Sequence, residues 1–400
     1  MIRSEEKPAT GKANSKFNIV LFFMLIILIA GLAFVIYIKS QGVDIKNVRL
    51  EEYISGLFPS NKNDSEGQEQ RIRELDYDGR ERPSFSVLKQ YIIKCTREHI
   101  IMLDKDGNQV WTRSIQMDKP IVKTNGSEAV VADVGGMDIY VLQAKGVKWE
   151  ARSEGKIVNA DISKEGFVTV IEEAKGFRGR VRVYDPLGIE MFNRSIAERF
   201  ILSAKVSPSS KQLLISGIDL SGIASSSSIE ITDMKGEPFS ARILRENEVF
   251  PSVWYMNDNS ILALNSNMAI YLDKDREEKW SKNFKKIYSS NILLGKYLVV
   301  GAENENKTRY GNVDSVIIIY DGKGNEIASC KIDGKIFNIQ TCDDVIAVNT
   351  TREIYFVNSK GKILDKYSSK SDISDLCFFN KNEILVVSKN KLIIINIEGD

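Results

Sequence analysis

The chain of 400 residues contains a single histidine, His99. A Ser-His-Asp or Cys-His catalytic site would have to use this residue, and a metal site built from several histidines is excluded. Because His99 is predicted to open a strand, a structural role is favoured over a catalytic one.

Excess charge and phosphate-binding glycines are also missing. Lys and Arg total 55 and Asp and Glu total 54, so the net charge is +1. A nucleic-acid surface needs clustered basic charge, which this sequence does not have. No glycine-rich loop follows a predicted strand, which argues against a nucleotide-phosphate loop.

Cysteine is scarce as well. The four cysteines are too few and too scattered for a disulfide framework. All four fall in predicted strands, where we expect them as small buried residues. They are Cys95, Cys330, Cys342 and Cys377.

What the chain does contain is a thirteen-residue pattern, such as IIMLDKDGNQVWT, that occurs eight times. Position five is Asp or Asn in seven copies, with Gln143 as the exception, and position eight is Gly in seven copies, with Arg276 as the exception. The last copy is truncated by the end of the sequence. The copies begin at Ile100, Ile139, Val181, Ile229, Ala269, Ile317, Ile354 and Leu392.

Each copy predicts a β-hairpin. Its first four residues are rich in Ile, Val, Leu and Tyr, which suit a strand. Asp or Asn at the first turn position and Gly at the fourth are typical of a type I turn. Five copies carry an aromatic after the turn, which we interpret as packing between repeats rather than as a ligand platform. These aromatics are Trp111, Trp149, Phe192, Phe239 and Trp280.

The spacing of the copies predicts the fold class. They begin 37 to 48 residues apart, and two more strand-like runs lie between them. Four strands in each repeat of ~40–50 residues is the spacing of a β-propeller blade. We therefore predict an all-β fold, a propeller of about eight four-stranded blades over residues 71–400, with seven blades as the alternative.

The two ends of the propeller are predicted to meet. The last copy lacks a fourth strand, and the stretch from Arg71 to Tyr77 has no blade of its own. We expect this stretch to pair with Leu392 to Ile397 and close the ring. Cys95 and Cys377 would then be neighbours across the closure, where a disulfide is conceivable.

The residues before the propeller predict a membrane anchor. Residues 17–38 contain no charge, and at ~1.5 Å per residue they span ~33 Å, enough for a bilayer core. The run is longer than a signal-peptide core, which favours an uncleaved single-pass helix. Residues 1–16 form a short basic tail and residues 39–70 a juxtamembrane segment and flexible tether. The charge bias favours a cytoplasmic tail and an extracytoplasmic propeller.

Unequal links between strands suggest where a partner binds. Three links between the second and third strands of a blade are long, and in a propeller they share one face. Insertions on one face of a repeat array often mark the binding face, although surface loops also tolerate insertions without function. The candidate partner-binding residues are Phe177, Arg178, Arg180, Arg309 and Tyr310.

An enzyme remains the alternative hypothesis. A hydrolase or lyase acting on carbohydrate would need two carboxylates about 5–9.5 Å apart in an open pocket. The candidates lie on inner strands or on the long-loop face: Asp161, Glu172, Asp219 and Asp372. Asp104, Asp106 and Asn108 resemble the start of a calcium loop, but the glycine is misplaced and the hairpin turn explains them. No metal or cofactor is therefore predicted.

The hairpin IIMLDKDGNQVWT resembles the quinoprotein-type (PQQ-like) propeller repeat. The stretch VSPSSKQLLISG from Val206 is similar to WD-type and TolB-type blades. The order of basic tail, helix, polar tether and degenerate propeller resembles a clostridial domain-of-unknown-function family of membrane-anchored propellers. No two cysteines are adjacent and no acidic cluster lies outside the turns, so the calcium–quinone site of the dehydrogenases does not carry over.

These resemblances imply a binding or scaffold module for an envelope protein or a wall polymer. The resemblance to outer-membrane assembly factors with the same repeat implies that a propeller of this kind can be a pure interaction scaffold, but a fold does not fix a function. The predicted helix lacks a close-packing glycine motif, so nothing in it predicts dimerisation.

Overall fold

Eight four-stranded antiparallel sheets are arranged in sequence in the computed structural model, which describes residues 71–304 and 314–398. The predicted tail, membrane helix and tether, residues 1–16, 17–38 and 39–70, lie outside the described residues. Within the described residues no helix is long and apolar enough to cross a bilayer.

The first four blades follow the chain order. Blade 1 contains β2 (Ser84–Leu88), β3 (Tyr91–Cys95), β4 (His99–Leu103) and β5 (Gln109–Ser114). Blade 2 contains β6 (Pro120–Thr124), β7 (Ala129–Asp133), β8 (Asp138–Gln143) and β9 (Gly146–Arg152). Blade 3 contains β10 (Ile157–Ile162), β11 (Val168–Glu172), β12 (Gly179–Tyr184) and β13 (Glu190–Ile196). Blade 4 contains β14 (Phe200–Val206), β15 (Gln212–Asp219), β16 (Ser226–Asp233) and β17 (Pro238–Glu246).

The remaining blades repeat this plan. Blade 5 contains β18 (Ser252–Tyr255), β19 (Ile261–Leu264), β20 (Met268–Leu272) and β21 (Glu278–Asn283). Blade 6 contains β22 (Ile287–Leu293), β23 (Tyr297–Glu303), β24 (Ser315–Tyr320) and β25 (Glu326–Ile332). Blade 7 contains β26 (Asn338–Cys342), β27 (Val345–Asn349), β28 (Glu353–Asn358) and β29 (Ile363–Ser368). Blade 8 contains β30 (Ile373–Asn380), β31 (Glu383–Ser388), β32 (Lys391–Asn396) and β1 (Ile72–Asp76), and a 3₁₀ turn, Gly79–Glu81, leads from β1 to blade 1.

The first strand of each blade lies innermost, because first strands of successive blades contact one another. Each sheet is ordered from first to fourth strand, and its buried residues face the neighbouring sheet. The prediction of eight blades is therefore confirmed, and the seven-blade alternative is wrong.

The predicted closure is confirmed in register. Strand β1 pairs antiparallel with β32, which places Ile72 opposite Ile395 and Leu75 opposite Leu392. The phenol of Tyr77 donates a hydrogen bond of 2.8 Å to the carbonyl oxygen of Ser388. The N-terminal strand thus completes the last blade.

The conserved position-five side chain builds each turn. Asp104 Oδ1 accepts hydrogen bonds from the backbone N–H of Asp106 at 2.9 Å and of Asn108 at 2.8 Å. The Asn108 amide and these N–H groups lower the pKa of the Asp104 carboxyl. The same pair of bonds recurs at Asp185, Asp233, Asp273, Asp321 and Asn358. The hairpin interpretation is confirmed, and the described residues contain no acidic or histidine cluster suited to a metal.

The aromatic after the turn packs on the glycine of the next blade. A Cβ atom built on Gly324 of blade 6 would lie 2.9 Å from the Trp280 ring of blade 5, and Gly188 and Trp149 show the same close approach between blades 3 and 2. Trp280 Nε1 also donates to the Gly322 carbonyl at 3.1 Å. The predicted packing between blades is confirmed for Trp149, Phe192 and Trp280.

The contact between blades 4 and 5 differs. Phe239 of blade 4 is 63% exposed, and blade 5 carries Arg276 where the other blades have the turn glycine. Arg276 holds a positive φ of 69° and donates 2.7 Å hydrogen bonds to the Asn259 carbonyl and to Gln212 Oε1 of blade 4. A polar bridge thus replaces the aromatic contact where the repeat departs from its pattern.

All four cysteines lie in strands and are free thiols, so the conceivable Cys95–Cys377 disulfide is not formed. Burial raises the pKa of the Cys95 thiol to about 12. The Cys377 thiol donates a 3.9 Å hydrogen bond to the Phe85 carbonyl of blade 1. These side chains serve as packing groups.

The glycine–aromatic contact is testable with a matched pair of substitutions. Gly324 and Gly126 have similar φ values, 81° and 88°, but a Cβ at Gly126 meets no atom within 4 Å. Alanine at either site carries the backbone strain of a positive φ, and only at Gly324 must it also displace Trp280. We expect Gly324→Ala to lower the free energy of unfolding by ~1–3 kcal/mol more than Gly126→Ala in urea titrations. Equal losses would contradict the contact.

Candidate functional site

The two long links that the structure describes in full, residues 173–178 and 220–225, lie on one face of the propeller. Because the strands of each blade alternate in direction, links from second to third strands share a face with the links between blades. The links spanning residues 173–178, 220–225 and 304–314 are the long ones, and the corresponding links elsewhere are shorter. This confirms the predicted unequal links, and we call their side of the ring the long-loop face.

Three of the five predicted binding residues are described. Phe177 is exposed, and the Arg178 guanidinium lies 4.8 Å from the centre of the Phe200 ring in the next blade. The Arg178 N–H also donates a 2.8 Å hydrogen bond to the Ile196 carbonyl, which holds the link against β13. Arg309 and Tyr310 lie outside the described residues.

Exposed apolar side chains gather on this face in blades 3 and 4. Leu220 is 56% exposed and Ile223 is fully exposed, both in the link between β15 and β16. We call the following exposed apolar side chains on these links and strand ends the apolar patch: Phe177, Phe200, Leu220, Ile223 and Val249. Of these five residues, only Phe177 was predicted from the sequence to bind a partner. Leu220 and Ile223 could have been found as the sole large apolar residues of their long link.

The two blades form one continuous surface here. A Cβ on Gly179 would lie 2.9 Å from the Ile201 side chain, so the end of the blade 3 link rests on blade 4. A hydrogen bond from the Ser221 hydroxyl, with the nearby charges of Arg178 and Arg199, lowers the pKa of Asp219. Charged groups from the blade 3 link and from blade 4 therefore lie near one another beside the apolar patch.

Arg180 has a structural role that the sequence did not reveal. The side chain of Glu172 is 0% exposed, and its Oε1 atom accepts from Arg182 Nε at 3.0 Å and from Arg180 Nη1 at 3.2 Å. Arg180 also pairs with Glu154, and Arg182 pairs with Glu190. Glu172 Oε2 is buried with no hydrogen-bond partner among the described residues. Arg180 thus neutralises a buried charge as well as bordering the long-loop face.

The four candidate catalytic carboxylates are held on different elements, each by its own partner. Asp161 on β10 pairs with Lys205, and Glu172 on β11 binds Arg180 and Arg182. Asp219 accepts a 2.6 Å hydrogen bond from the Ser221 hydroxyl, and Asp372 pairs with Arg352 at 2.9 Å. The contacts bring no two of these carboxylates together as an acid–base pair.

Comparisons with known proteins agree with this architecture. A model described as a family of unknown function (DUF5711) matches residues 61–397, which confirms the predicted resemblance to such a propeller family. No curated protein gives a significant match to the chain.

Solved structures share the fold at low identity. BamB from Moraxella catarrhalis is 14% identical, with a TM-score of 0.53 over 82% of this chain and 99% of that chain. The C-terminal WD40 domain of Sif2 is 11% identical, with a TM-score of 0.58 over 82% of this chain and 98% of that chain. Sqt1 from Chaetomium thermophilum is 8% identical, with a TM-score of 0.58 and the same coverage. At these identities the likeness establishes the propeller fold alone.

The buried ion network gives a stability prediction. Arg182→Met leaves the Glu172 carboxylate short of a countercharge, so we expect a loss of ~3–5 kcal/mol in the free energy of unfolding. Arg113→Met, which removes one member of the exposed Arg113–Glu150 pair, should cost less than ~1 kcal/mol. Adding Glu172→Met to Arg182→Met should recover part of the loss. If the double variant is no more stable than Arg182→Met, the charge explanation is wrong.

Proposed function

We propose that this chain, which belongs to the family of unknown function DUF5711, is a membrane-anchored extracytoplasmic scaffold. Its long-loop face binds an envelope protein or a wall polymer. The single observation that carries the binding role is the apolar patch on neighbouring blades 3 and 4.

The apolar patch concentrates several exposed apolar side chains on one face of two neighbouring blades. Isolated exposed apolar residues are normal, whereas adjoining ones on a soluble domain mark interaction surfaces. Leu220 and Ile223 occupy a link that is longer than most of its counterparts, so they extend the surface without serving the core. A bound partner would remove their apolar area from water.

The side chains around the patch suit molecular recognition. Arg178 stacks on Phe200, and aromatic and arginine side chains are the types that contribute most at interfaces. The hydrogen bond from Arg178 N–H to the Ile196 carbonyl fixes the backbone of the link before any partner arrives. A fixed link reduces the entropy lost on binding.

Sequence features support the anchor and the orientation. Residues 17–38 are long and apolar enough to span a bilayer, and the basic tail before them favours a cytoplasmic N-terminus. The juxtamembrane segment and tether predicted over residues 39–70 would separate the propeller from the membrane.

The scaffold proposal is better supported than the hydrolase or lyase alternative. Each candidate carboxylate already has its own partner in the fold, as Asp161 has Lys205 and Asp372 has Arg352. Carboxylates held in this way lack the arrangement of a glycosidase pair.

The anchor and orientation are tested by cysteine labelling in intact cells. A membrane-impermeant maleimide should label Ser60→Cys in the tether, and it should label Ser4→Cys in the tail only after permeabilisation. The unsubstituted chain gives the background from the native thiols. Recovery of the chain in the soluble fraction, or labelling of Ser4→Cys in intact cells, would contradict this arrangement.

The binding face is tested by removing apolar side chains from opposite sides of one propeller. We expect Phe177→Ser/Leu220→Ser/Ile223→Ser to reduce partner recovery at least tenfold after crosslinking in cells and affinity capture. The matched control Leu187→Ser/Ile189→Ser/Met191→Ser changes three comparably exposed side chains in and beside the β12–β13 turn, away from the long-loop face. Equal recovery with both triple variants would exclude the apolar patch as the contact.

A further inference from the structure

A polar groove crosses the long-loop face beside the apolar patch. A cleft of about 690 Å³ lies between blades 1 and 2, walled by residues 114–118 and 133–138. A second cleft of about 480 Å³ shares Met137 and Lys156 with it and reaches Lys175 and Arg180 in blade 3. We call the two clefts together the inter-blade groove, which ends where the link carrying Phe177 begins.

Glycine forms the floor of the groove. Gly135 has a φ of 88°, and a Cβ there would meet no atom within 4 Å, so its backbone faces open space. A Cβ on Gly136 would overlap the Asp133 carboxylate, and one on Gly155 would overlap the Glu173 carbonyl. The absence of side chains at these positions keeps the floor open and lets Asp133 lie against it.

Asp133 is a buried carboxylate without a countercharge. It is 5% exposed, and its Oδ1 atom accepts from the backbone N–H of Asp118 at 3.0 Å and of Lys119 at 2.9 Å. No described residue forms an ion pair with it, whereas buried Glu172 and Glu230 each bind two arginines. A buried anion with only neutral donors favours an incoming cation.

The walls of the groove are fixed in place. Gly135 N–H donates to the Ile157 carbonyl of blade 3 and Ile157 N–H donates to the Gly136 carbonyl, both at 2.8 Å. Ser153 N–H donates to the Met137 carbonyl, also at 2.8 Å. The link between β7 and β8 is therefore hydrogen-bonded to two other segments, so a ligand meets a site that is already ordered.

Charged side chains line the whole groove. Exposed Asp118 lies beside Asp133 at the blade 1 end, where Asp138 and Arg152 pair with each other at 3.5 Å. Exposed Lys156, which has no ion-pair partner among the described residues, lies where the two clefts join, and exposed Glu173 and Lys175 line the second cleft. Beyond Lys156 the groove leads towards Phe177. A complementary ligand has a cation first, then a carbonyl or carboxylate, and then an apolar group.

We propose that the inter-blade groove binds an extended protein segment through a lysine or arginine side chain that pairs with Asp133 and Asp118. The segment then passes Lys156 and places an apolar side chain on the apolar patch. Tyr140 is the one aromatic side chain among the residues described as lining the groove, so the walls offer charges rather than the ring faces on which sugars stack. This inference rests on the proposed scaffold function and names its partner class.

The test uses the purified full-length chain in detergent and a phage-displayed library of random ten-residue peptides. We expect enriched peptides to carry a lysine or arginine followed by an apolar residue. In fluorescence anisotropy with the synthetic peptides, Asp133→Asn should weaken binding at least tenfold, because it keeps the Oδ1 acceptor but removes the charge. Replacing the basic residue of the peptide by glutamine should weaken its binding to the parent chain by the same factor. The same replacement should change binding to the Asp133→Asn variant very little.

The control variant is Asp344→Asn, an exposed carboxyl in the β26–β27 turn on the opposite face. It should bind the peptides as the parent chain does, and all variants should share the thermal midpoint of the parent. The inference would be overturned by any of three results: no enrichment of peptides, enriched peptides without a basic residue, or equal affinity of the peptides for Asp133→Asn and the parent chain. Binding of purified wall-glycan fragments that depends on Asp133, without peptide enrichment, would also overturn it and identify a wall polymer. The peptide measurement does not require the predicted membrane location, so it and the labelling experiment fail independently.

Discussion

Contact between adjacent blades is the interaction on which the rest of this structure depends. A four-stranded sheet has two faces and cannot bury either of them alone, so each blade is stable only between its neighbours. The aromatic that follows one turn rests on the glycine of the next, as Trp280 does on Gly324. Closure of the ring by β1 and β32 gives the terminal blade the same support as the others.

At the contact between blades 4 and 5, the turn keeps its backbone conformation although its side chains differ from those of the other blades. Arg276 keeps the left-handed turn conformation that glycine adopts in the other copies, and it reaches Gln212 across the interface. Phe239, with no glycine to cover, stays in solvent. The loss of the turn glycine and the exposure of the aromatic therefore occur at the same interface.

The fold could be predicted because its determinants are local and repeated. The Asp104 carboxylate accepts hydrogen bonds from backbone N–H groups only two and four residues ahead of it. The last repeat lacks a fourth strand, and this absence predicted the pairing of β1 with β32. The site was only partly predictable. Arg180 was predicted as a partner-binding residue, and its ion pair with buried Glu172 depends on burial that no local pattern shows.

Other parts of the site depend on contacts between distant segments. Leu220 and Ile223 are single apolar residues in a serine-rich stretch, and only the fold puts their link on the same face as the link that carries Phe177. Asp133 is an ordinary strand-end carboxylate in the sequence. Its burial follows from the pairing of the β7–β8 link with Ile157 of the next blade, which has no signature in the residues near Asp133.

Completion of blade 8 by residues from both ends of the chain has a consequence for biosynthesis. Ile72 is among the first residues of the propeller to be made, and its partner Ile395 is among the last. The outermost strand of this sheet must therefore wait until the last strand of the propeller has been made, and joining two segments so far apart in the chain carries a large entropic cost. A propeller truncated before Lys391 lacks β32 and leaves β1 with no strand to join, so one truncation removes two of the four strands of blade 8.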